Sequence, residues 1–120
     1  MFKHEPVDLG YNDLTTTNKG GRKYQTPNGN YPSITTVLGK LSKKAIMEWR
    51  DRVGHDVANQ ISRQAAGRGT AVHAVCENYV NNNPDYAKDL MPNILHDFKR
   101  IKDILDTRIG TVYGQELPLY

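Results

Sequence analysis

The stretch AGRGTAVHAVCE, Ala66–Glu77, decides the fold, because a glycine-rich break is followed at once by a strongly amphipathic segment. Thr70 is placed to cap a helix there, and Asn81–Pro84 is placed to end it. The apolar side chains of that helix recur at i, i+3, i+4, i+7 and i+8: Val72, Val75, Cys76, Tyr79 and Val80. This spacing predicts a helix with one buried face. The break at residues 67–69 separates it from an earlier predicted helix, at about residues 55–66.

The N-terminal third begins with a polar lead-in and a turn. Residues 1–21 are rich in Thr, Asn and Gly, which favours a flexible or irregular arm, so the domain is expected to occupy residues 22–120. Thr26–Gly29 has Pro at the second turn position and Gly at the fourth, as in a type I turn. A small β-hairpin is therefore predicted, with Tyr24 and Tyr31 on its arms.

Two serines then mark further helix starts. Ser33 precedes an apolar stripe over residues 34–41, and Ser42 precedes a second stripe over residues 43–53. Gly54 follows the second stripe and is expected to end that helix. Two separate helices are predicted here.

Downstream, Pro92 suits the first position of a fifth helix. Thr111–Tyr120 carries β-forming residues without a helical period, which predicts one terminal strand. That strand needs the hairpin or another chain as a pairing partner. The predicted fold class is α/β and helix-rich, with a small hairpin, about five helices and one terminal core strand.

Composition narrows the function classes. The 120 residues contain one cysteine, Cys76, so four-cysteine zinc or iron–sulfur sites within this chain are excluded. Cys76 lies on the apolar face and is expected to be a small core residue. No apolar run approaches the ~20 residues that span a bilayer, and Met1–Glu5 lacks a signal-peptide pattern. These features predict a protein of the reducing cytoplasm, with no membrane partner.

The charge is unevenly distributed. Residues 19–68 hold ten Lys and Arg against three Asp and Glu, although the whole chain has a net charge of only +3. Such a basic segment is typical of a surface that meets a polyanion, and it is equally compatible with a solvated basic face.

His73 and Glu77 form the most suggestive pair of side chains. They lie at i and i+4 on the amphipathic helix, at the margin of its apolar face. An imidazole with a carboxylate one turn away suits a metal ligand with a partner that orients it. The same spacing is also common in solvated surface pairs, so both interpretations stay open at this point.

Three blocks of sequence together resemble a known family. They are Tyr31–Leu38 (YPSITTVL), Trp49–Gly54 (WRDRVG), and the Arg-Gly-Thr-x-x-His-x-x-x-Glu pattern of Arg68–Glu77. In this order they resemble the RecB-like branch of the PD-(D/E)XK nucleases, in particular single-stranded-DNA exonucleases similar to mitochondrial genome maintenance exonuclease and its phage relatives. The resemblance covers about residues 22–120 and implies the helix-rich N-terminal half of a restriction-endonuclease-like fold. Its phage relatives imply the cytoplasm of a bacterial or phage-infected host cell.

The resemblance also implies roles for individual residues. His73 matches the histidine that helps to bind catalytic Mg²⁺ or Mn²⁺, Glu77 lies beside it, and Glu116 matches a glutamate on the first core strand. Seven residues match positions at which the family contacts DNA: Arg22, Lys23, Tyr24, Tyr31, Ser33, Arg68 and Thr70. Aromatic rings that stack on bases and cations that contact phosphates are the expected means of binding single strands.

The family completes its site with an aspartate on the second core strand and an Asp/Glu-x-Lys on the third. In the family both motifs lie downstream of the position that matches Tyr120, so this sequence does not supply them. The chain is therefore expected to be an N-terminal segment that is inactive alone and needs a second polypeptide, or a truncated remnant. Association of two copies through the terminal strand is a further expectation. The alternative function is a non-catalytic basic helical module that binds DNA or a partner protein.

Overall fold

The computed structural model describes residues 1–11, 15–17 and 22–119. Within these residues the elements are β1 (Lys3–His4), β2 (Thr15–Thr17), β3 (Lys23–Thr26), β4 (Gly29–Pro32), α1 (Ile34–Val53), α2 (His55–Val80), α3 (Pro92–Arg108) and β5 (Thr111–Val112). The chain divides into two compact units. Unit 1 comprises Met1–Val7 and Asn59–Glu116, and unit 2 comprises Asp8–Ala58 and Leu117–Tyr120. The α/β class is confirmed.

Unit 2 contains a three-stranded antiparallel sheet in the order β2-β3-β4, followed by α1. The predicted hairpin is confirmed: β3 and β4 pair with Tyr24 opposite Tyr31, and Thr26 opposite Gly29 closes the turn. Gly29 has a φ of +138°, which a side chain would disfavour. Ser33 caps α1 as predicted, since its hydroxyl accepts a hydrogen bond from the Thr36 backbone N–H at 3.1 Å.

Unit 1 has a small core between α2 and α3. Val75, Ile94 and Phe98 are buried there, and Phe98 is only 1% exposed. The apolar stripe predicted for residues 72–80 therefore faces the core. Partly buried side chains complete the packing: Ala71, Val72, Cys76, Tyr79, Tyr86, Leu90 and Leu105.

A two-stranded parallel sheet attaches the N-terminus to unit 1. Lys3 lies opposite Thr111 and His4 opposite Val112. Phe2 and Asn82 exchange two hydrogen bonds of 2.8 Å, one from the Phe2 backbone N–H and one to the Phe2 carbonyl. The His4 ring nitrogen Nε2 lies 2.7 Å from the Val80 carbonyl, at the C-terminus of α2. These contacts fix the first residues against the end of that helix.

The prediction of about five helices is wrong for the described residues, which form three. The predicted boundary at Ser42 is absent, since Ser42 lies inside one continuous helix, α1, where its hydroxyl donates to the Gly39 carbonyl at 3.3 Å. The predicted break at residues 67–69 is also absent, and Thr70 lies inside α2 rather than capping it. A helix tolerates interior glycine at a cost of about 1 kcal/mol each, and here alanines and the packed C-terminal half offset that cost.

Two further expectations about strands are corrected. Residues 1–21 contain β1 and β2, so the lead-in is not wholly irregular; residues 12–14 and 18–21 lie outside the described residues. The terminal strand is only two residues long, and it pairs with β1 rather than with the hairpin. Its first residues thus find a partner within the chain. Among the described helices, none is long and apolar enough to cross a membrane.

Candidate functional site

His73 lies between two carboxylates in unit 1. Its Nε2 is 3.0 Å from Oε1 of Glu116, and its Nδ1 is 4.0 Å from Oε2 of Glu77. The His73 and Glu116 side chains are 64% and 63% exposed, so the pair faces solvent. The geometry thus brings His73, the predicted metal ligand, close to Glu116 and to its predicted partner Glu77.

Glu116 is held at α2 by its neighbour in sequence. The Gln115 side-chain amide donates to the Glu77 carbonyl at 3.3 Å and to Oδ1 of Asn81 at 2.8 Å. Glu116 itself has a φ of +54°, a left-handed conformation that costs a non-glycine residue roughly 1–2 kcal/mol. The Gln115 contacts help to offset that cost. The segment after β5 is therefore fastened to α2 so that Glu116 reaches His73.

The donor set of this cluster suits a divalent cation only in part. An imidazole nitrogen and carboxylate oxygens are ligands that Mn²⁺ accepts, and Mg²⁺ prefers the carboxylates. Among the described residues, however, no group of three or more His, Cys, Asp or Glu side chains is arranged to hold a metal ion. Mg²⁺ takes about six ligands, so His73 and Glu116 supply a minority of them.

Arg68 forms a two-bonded ion pair with Asp97 of α3. Its Nε lies 2.5 Å from Oδ2 and its second terminal nitrogen lies 2.7 Å from Oδ1. This hydrogen bonding raises the pKa of Arg68 and lowers the pKa of Asp97. Arg68 remains 51% exposed, and its other terminal nitrogen is not part of this pair. Thr70 lies nearby on the exposed surface of α2.

The remaining predicted DNA-binding residues belong to unit 2. Arg22 and Lys23 are exposed at the start of β3, and Tyr31 is 52% exposed on β4. Tyr24 and Tyr31, as directly opposed residues, share one face of the sheet. Ser33 differs from these, because it is buried and its hydroxyl is engaged in capping α1. The structure thus gives Ser33 a clear role in holding the helix.

Two polar groups of unit 1 were missed by sequence reasoning. Asp97 was not singled out, although it binds Arg68 across 29 residues of sequence. Gln115 was not singled out, although it fastens Glu116 to α2. Only the pairing of α2 with α3 and of β5 with β1 brings these residues together, so no local sequence signal marks them.

A third polar network, also missed, joins α2 to the end of α3. The Tyr79 hydroxyl donates to Asp106, and the Lys102 ammonium donates to the same carboxylate at 2.9 Å. The Lys102 ammonium also lies 5.4 Å from the centre of the Tyr79 ring. Hydrogen bonds to Asp106 and Tyr79 raise the pKa of Lys102 to about 12. This network ties the two helices together at a distance from His73 along α2.

No family model matches the chain, and no curated protein or solved structure is significantly similar to it. The resemblance to RecB-like nucleases therefore rests on the three sequence blocks alone. The residues on α2 and the segment after β5 carry the chemistry on which a function can be proposed.

Proposed function

We propose that this chain is the N-terminal part of a metal-dependent single-stranded-DNA exonuclease of the RecB-like branch. The observation that carries the proposal is the contact between His73 and Glu116. The two residues lie far apart in sequence, and the resemblance implies a catalytic role for both. In this proposal unit 1, with α2 and α3 beside β1 and β5, is the helix-rich part of a restriction-endonuclease-like fold.

The chemistry assigns a role to each residue of the cluster. A divalent ion, when bound, polarises a phosphoryl oxygen and activates water. His73 would hold it through Nε2, and Glu116 through its carboxylate. Glu77 lies 4.0 Å from Nδ1, beyond hydrogen-bond distance, and a small approach would let its carboxylate accept from Nδ1–H, orient the imidazole ring and leave Nε2 available as a ligand. Binding would replace the present contact between Nε2 and Glu116.

The donor set implies that more protein takes part in the complete site. The expected aspartate and the Asp/Glu-x-Lys would come from further sequence in the same polypeptide or from a second one. The lysine would steady the charge that develops on phosphate. Association of two copies through the terminal strand stays a prediction.

A non-catalytic DNA-binding module is the second candidate, and α1 favours it. Within α1, all of whose residues are described, none is buried, and Lys40, Lys43 and Lys44 are exposed along it. Binding by such a surface depends on salt and on basic residues, and it needs neither a divalent ion nor His73. The two candidates therefore make different predictions for metal binding.

Calorimetric titration with Mn²⁺ separates these candidates. The wild-type chain is expected to bind one Mn²⁺ weakly, and the binding should be lost in His73→Ala. His55→Ala is the matched control, because His55 is also exposed on α2 and also lies at i+4 from an acid, Asp51. Equal Mn²⁺ binding by wild type and His73→Ala would overturn the metal role and favour the non-catalytic module.

Digestion of end-labelled single-stranded DNA in Mn²⁺ tests the need for further protein. The 120-residue chain is expected to leave the label in place. If it releases nucleotides and His73→Ala does not, the chain is an exonuclease that completes its own site, and the requirement for further ligands is wrong.

A further inference from the structure

A groove of about 600 Å³ lies between α2 and α3 in unit 1. We call it the α2/α3 groove. Its floor is formed by Gly69 and Val72 of α2 with Ile101 and Ile104 of α3, and its rim carries Arg68, Asp97 and Arg100. Ile104 is 58% exposed, so part of the apolar floor faces solvent. The groove therefore combines an apolar surface with a charged edge.

The glycine in the floor has no packing role within the protein. A Cβ atom built on Gly69 would meet no other atom within 4 Å. Glycine in a helix interior costs about 1 kcal/mol relative to alanine, so this position gives up stability without a contact that requires it. The space above Gly69 is open to an incoming group.

The rim presents cationic groups in a fixed orientation. The Arg68 guanidinium is held by two hydrogen bonds to Asp97, while one terminal nitrogen points outside that pair. Arg100 lies on the same rim and interacts electrostatically with Asp97. Two guanidinium groups and one carboxylate leave an excess positive charge. Guanidinium groups bind phosphate through directed hydrogen bonds, so an anionic ligand with phosphate groups complements the rim.

We propose that the α2/α3 groove binds one or two nucleotides of a single DNA strand. Val72, Ile101 and Ile104 pack against base and sugar, Arg68 and Arg100 contact phosphates, and Asp97 is a positioning residue for Arg68. The inference rests on the proposed function, because it supplies the path of the substrate. His73 follows Gly69 by one helical turn, about 6 Å along the axis of α2, so a strand in the groove leads to His73.

The dimensions favour a nucleotide over a helical partner segment. Along α2 the lining runs from Ala65 to Val72, about 10 Å or two turns of helix. The volume lies within the roughly 300–1,000 Å³ that is usual for small-ligand sites. Grooves that receive an amphipathic helix usually accept anchors at i, i+3, i+4 and i+7, which need a longer apolar track.

Two glycine variants provide the test. Gly69→Leu fills the groove, whereas Gly67→Leu places the same side chain about 160° away around the helix. A Cβ on Gly67 also meets nothing within 4 Å, and leucine is a better helix former than glycine, so both variants are expected to fold at least as stably as wild type. Circular dichroism and thermal unfolding check that point.

Binding is measured by fluorescence anisotropy with a labelled oligothymidylate of about 12 nucleotides, in EDTA. Gly69→Leu is expected to weaken affinity about tenfold, as for the loss of one base contact, while Gly67→Leu binds like wild type. Arg100→Gln should lower the slope of log affinity against log salt by about 1. Asp97→Asn should weaken the affinity for DNA, because Arg68 loses the carboxylate that positions it. It should leave the salt slope unlowered, because Arg68 keeps its charge. Asp97→Glu should restore part of the affinity.

Equal affinity of Gly69→Leu and wild type would overturn the proposal, as would equal losses in the two leucine variants. If Gly69→Leu loses affinity only for a labelled acidic amphipathic peptide and binds DNA like wild type, the ligand of the groove is a peptide and not a nucleotide. His73→Ala is expected to bind the oligonucleotide normally in EDTA. The anisotropy measurement thus tests nucleotide binding in the groove, and the Mn²⁺ titration separately tests metal binding at His73.

Discussion

The continuity of α2 through residues 67–69 has a measurable consequence for stability. The two glycines of this stretch predict a break, and the structure has one helix of 26 residues. Neither Gly67 nor Gly69 has a positive φ, and a Cβ at either position has open space around it. Alanine at either position is therefore expected to raise the free energy of unfolding by about 1 kcal/mol, and the double variant by about 2 kcal/mol, because the two sites face different directions.

Urea unfolding followed by circular dichroism measures these differences. A gain of about 1 kcal/mol corresponds to a rise in Tm of roughly 4 °C for a chain of this size. Gly54→Ala is the matched control. Its φ of +92° is unfavourable for alanine, so it should lose about 1–2 kcal/mol. Destabilisation of Gly67→Ala or Gly69→Ala to the level of Gly54→Ala would mean that the chain breaks at these glycines, and the continuous helix would be refuted.

Three further predictions concern unit 1. Phe98→Ala should cost about 3–5 kcal/mol in chemical unfolding, because the ring is 1% exposed and packs against Tyr79 and Tyr86; a loss below about 1 kcal/mol would contradict this core. Asn82→Ala should lower the free energy of unfolding by about 2 kcal/mol, because it removes both hydrogen bonds to Phe2 and places alanine at a φ of +61°. Asn82→Gly also removes the hydrogen bonds but should cost less, because glycine adopts a positive φ without strain. Equal costs would argue against a left-handed conformation at this residue. The pKa of Asp97 is lowered by its ion pair with Arg68, so the pair stabilises the fold fully at pH values above the unfolded-state pKa of about 3.9. This stabilisation is lost as the pH falls through the lower folded-state pKa. Asp97→Asn should therefore flatten the acid limb of a stability–pH curve, and an unchanged limb would show that the pair does not form.

Local patterns predicted the elements that local physics controls. The turn residues of Thr26–Gly29 defined the hairpin, and Pro92 marked the start of α3. The end of α2 was also predictable, because the asparagine run before Pro84 favours the left-handed conformation that Asn82 adopts. In each case a few adjacent residues have no better alternative conformation.

The errors arose where distant contacts decide the structure. Gly67 and Gly69 carry a helix-breaking tendency that the packing of residues 71–80 on α3 outweighs. The pairing of β1 with β5 joins the two ends of unit 1, and two-residue strands are too short to leave a periodic pattern.

The contacts of the candidate site also fall into those that the local sequence predicts and those that depend on distant residues. The proximity of His73 and Glu77 follows from their i, i+4 spacing, which any helix produces. The contact of His73 with Glu116 was implied by the resemblance alone, and its geometry depends on the Gln115 hydrogen bonds. The ion pair of Arg68 with Asp97 had no local signal, since it requires α3 to lie beside α2.

We propose that His73 and Glu116 together hold a divalent ion. The most direct test is a nuclear magnetic resonance titration of the labelled chain with substoichiometric Mn²⁺, which broadens the resonances of nearby groups. Broadening is expected to centre on His73, Glu77 and Glu116, and that pattern is expected to be lost in His73→Ala. Broadening centred on another carboxylate cluster, or an unchanged pattern in His73→Ala, would contradict the proposal.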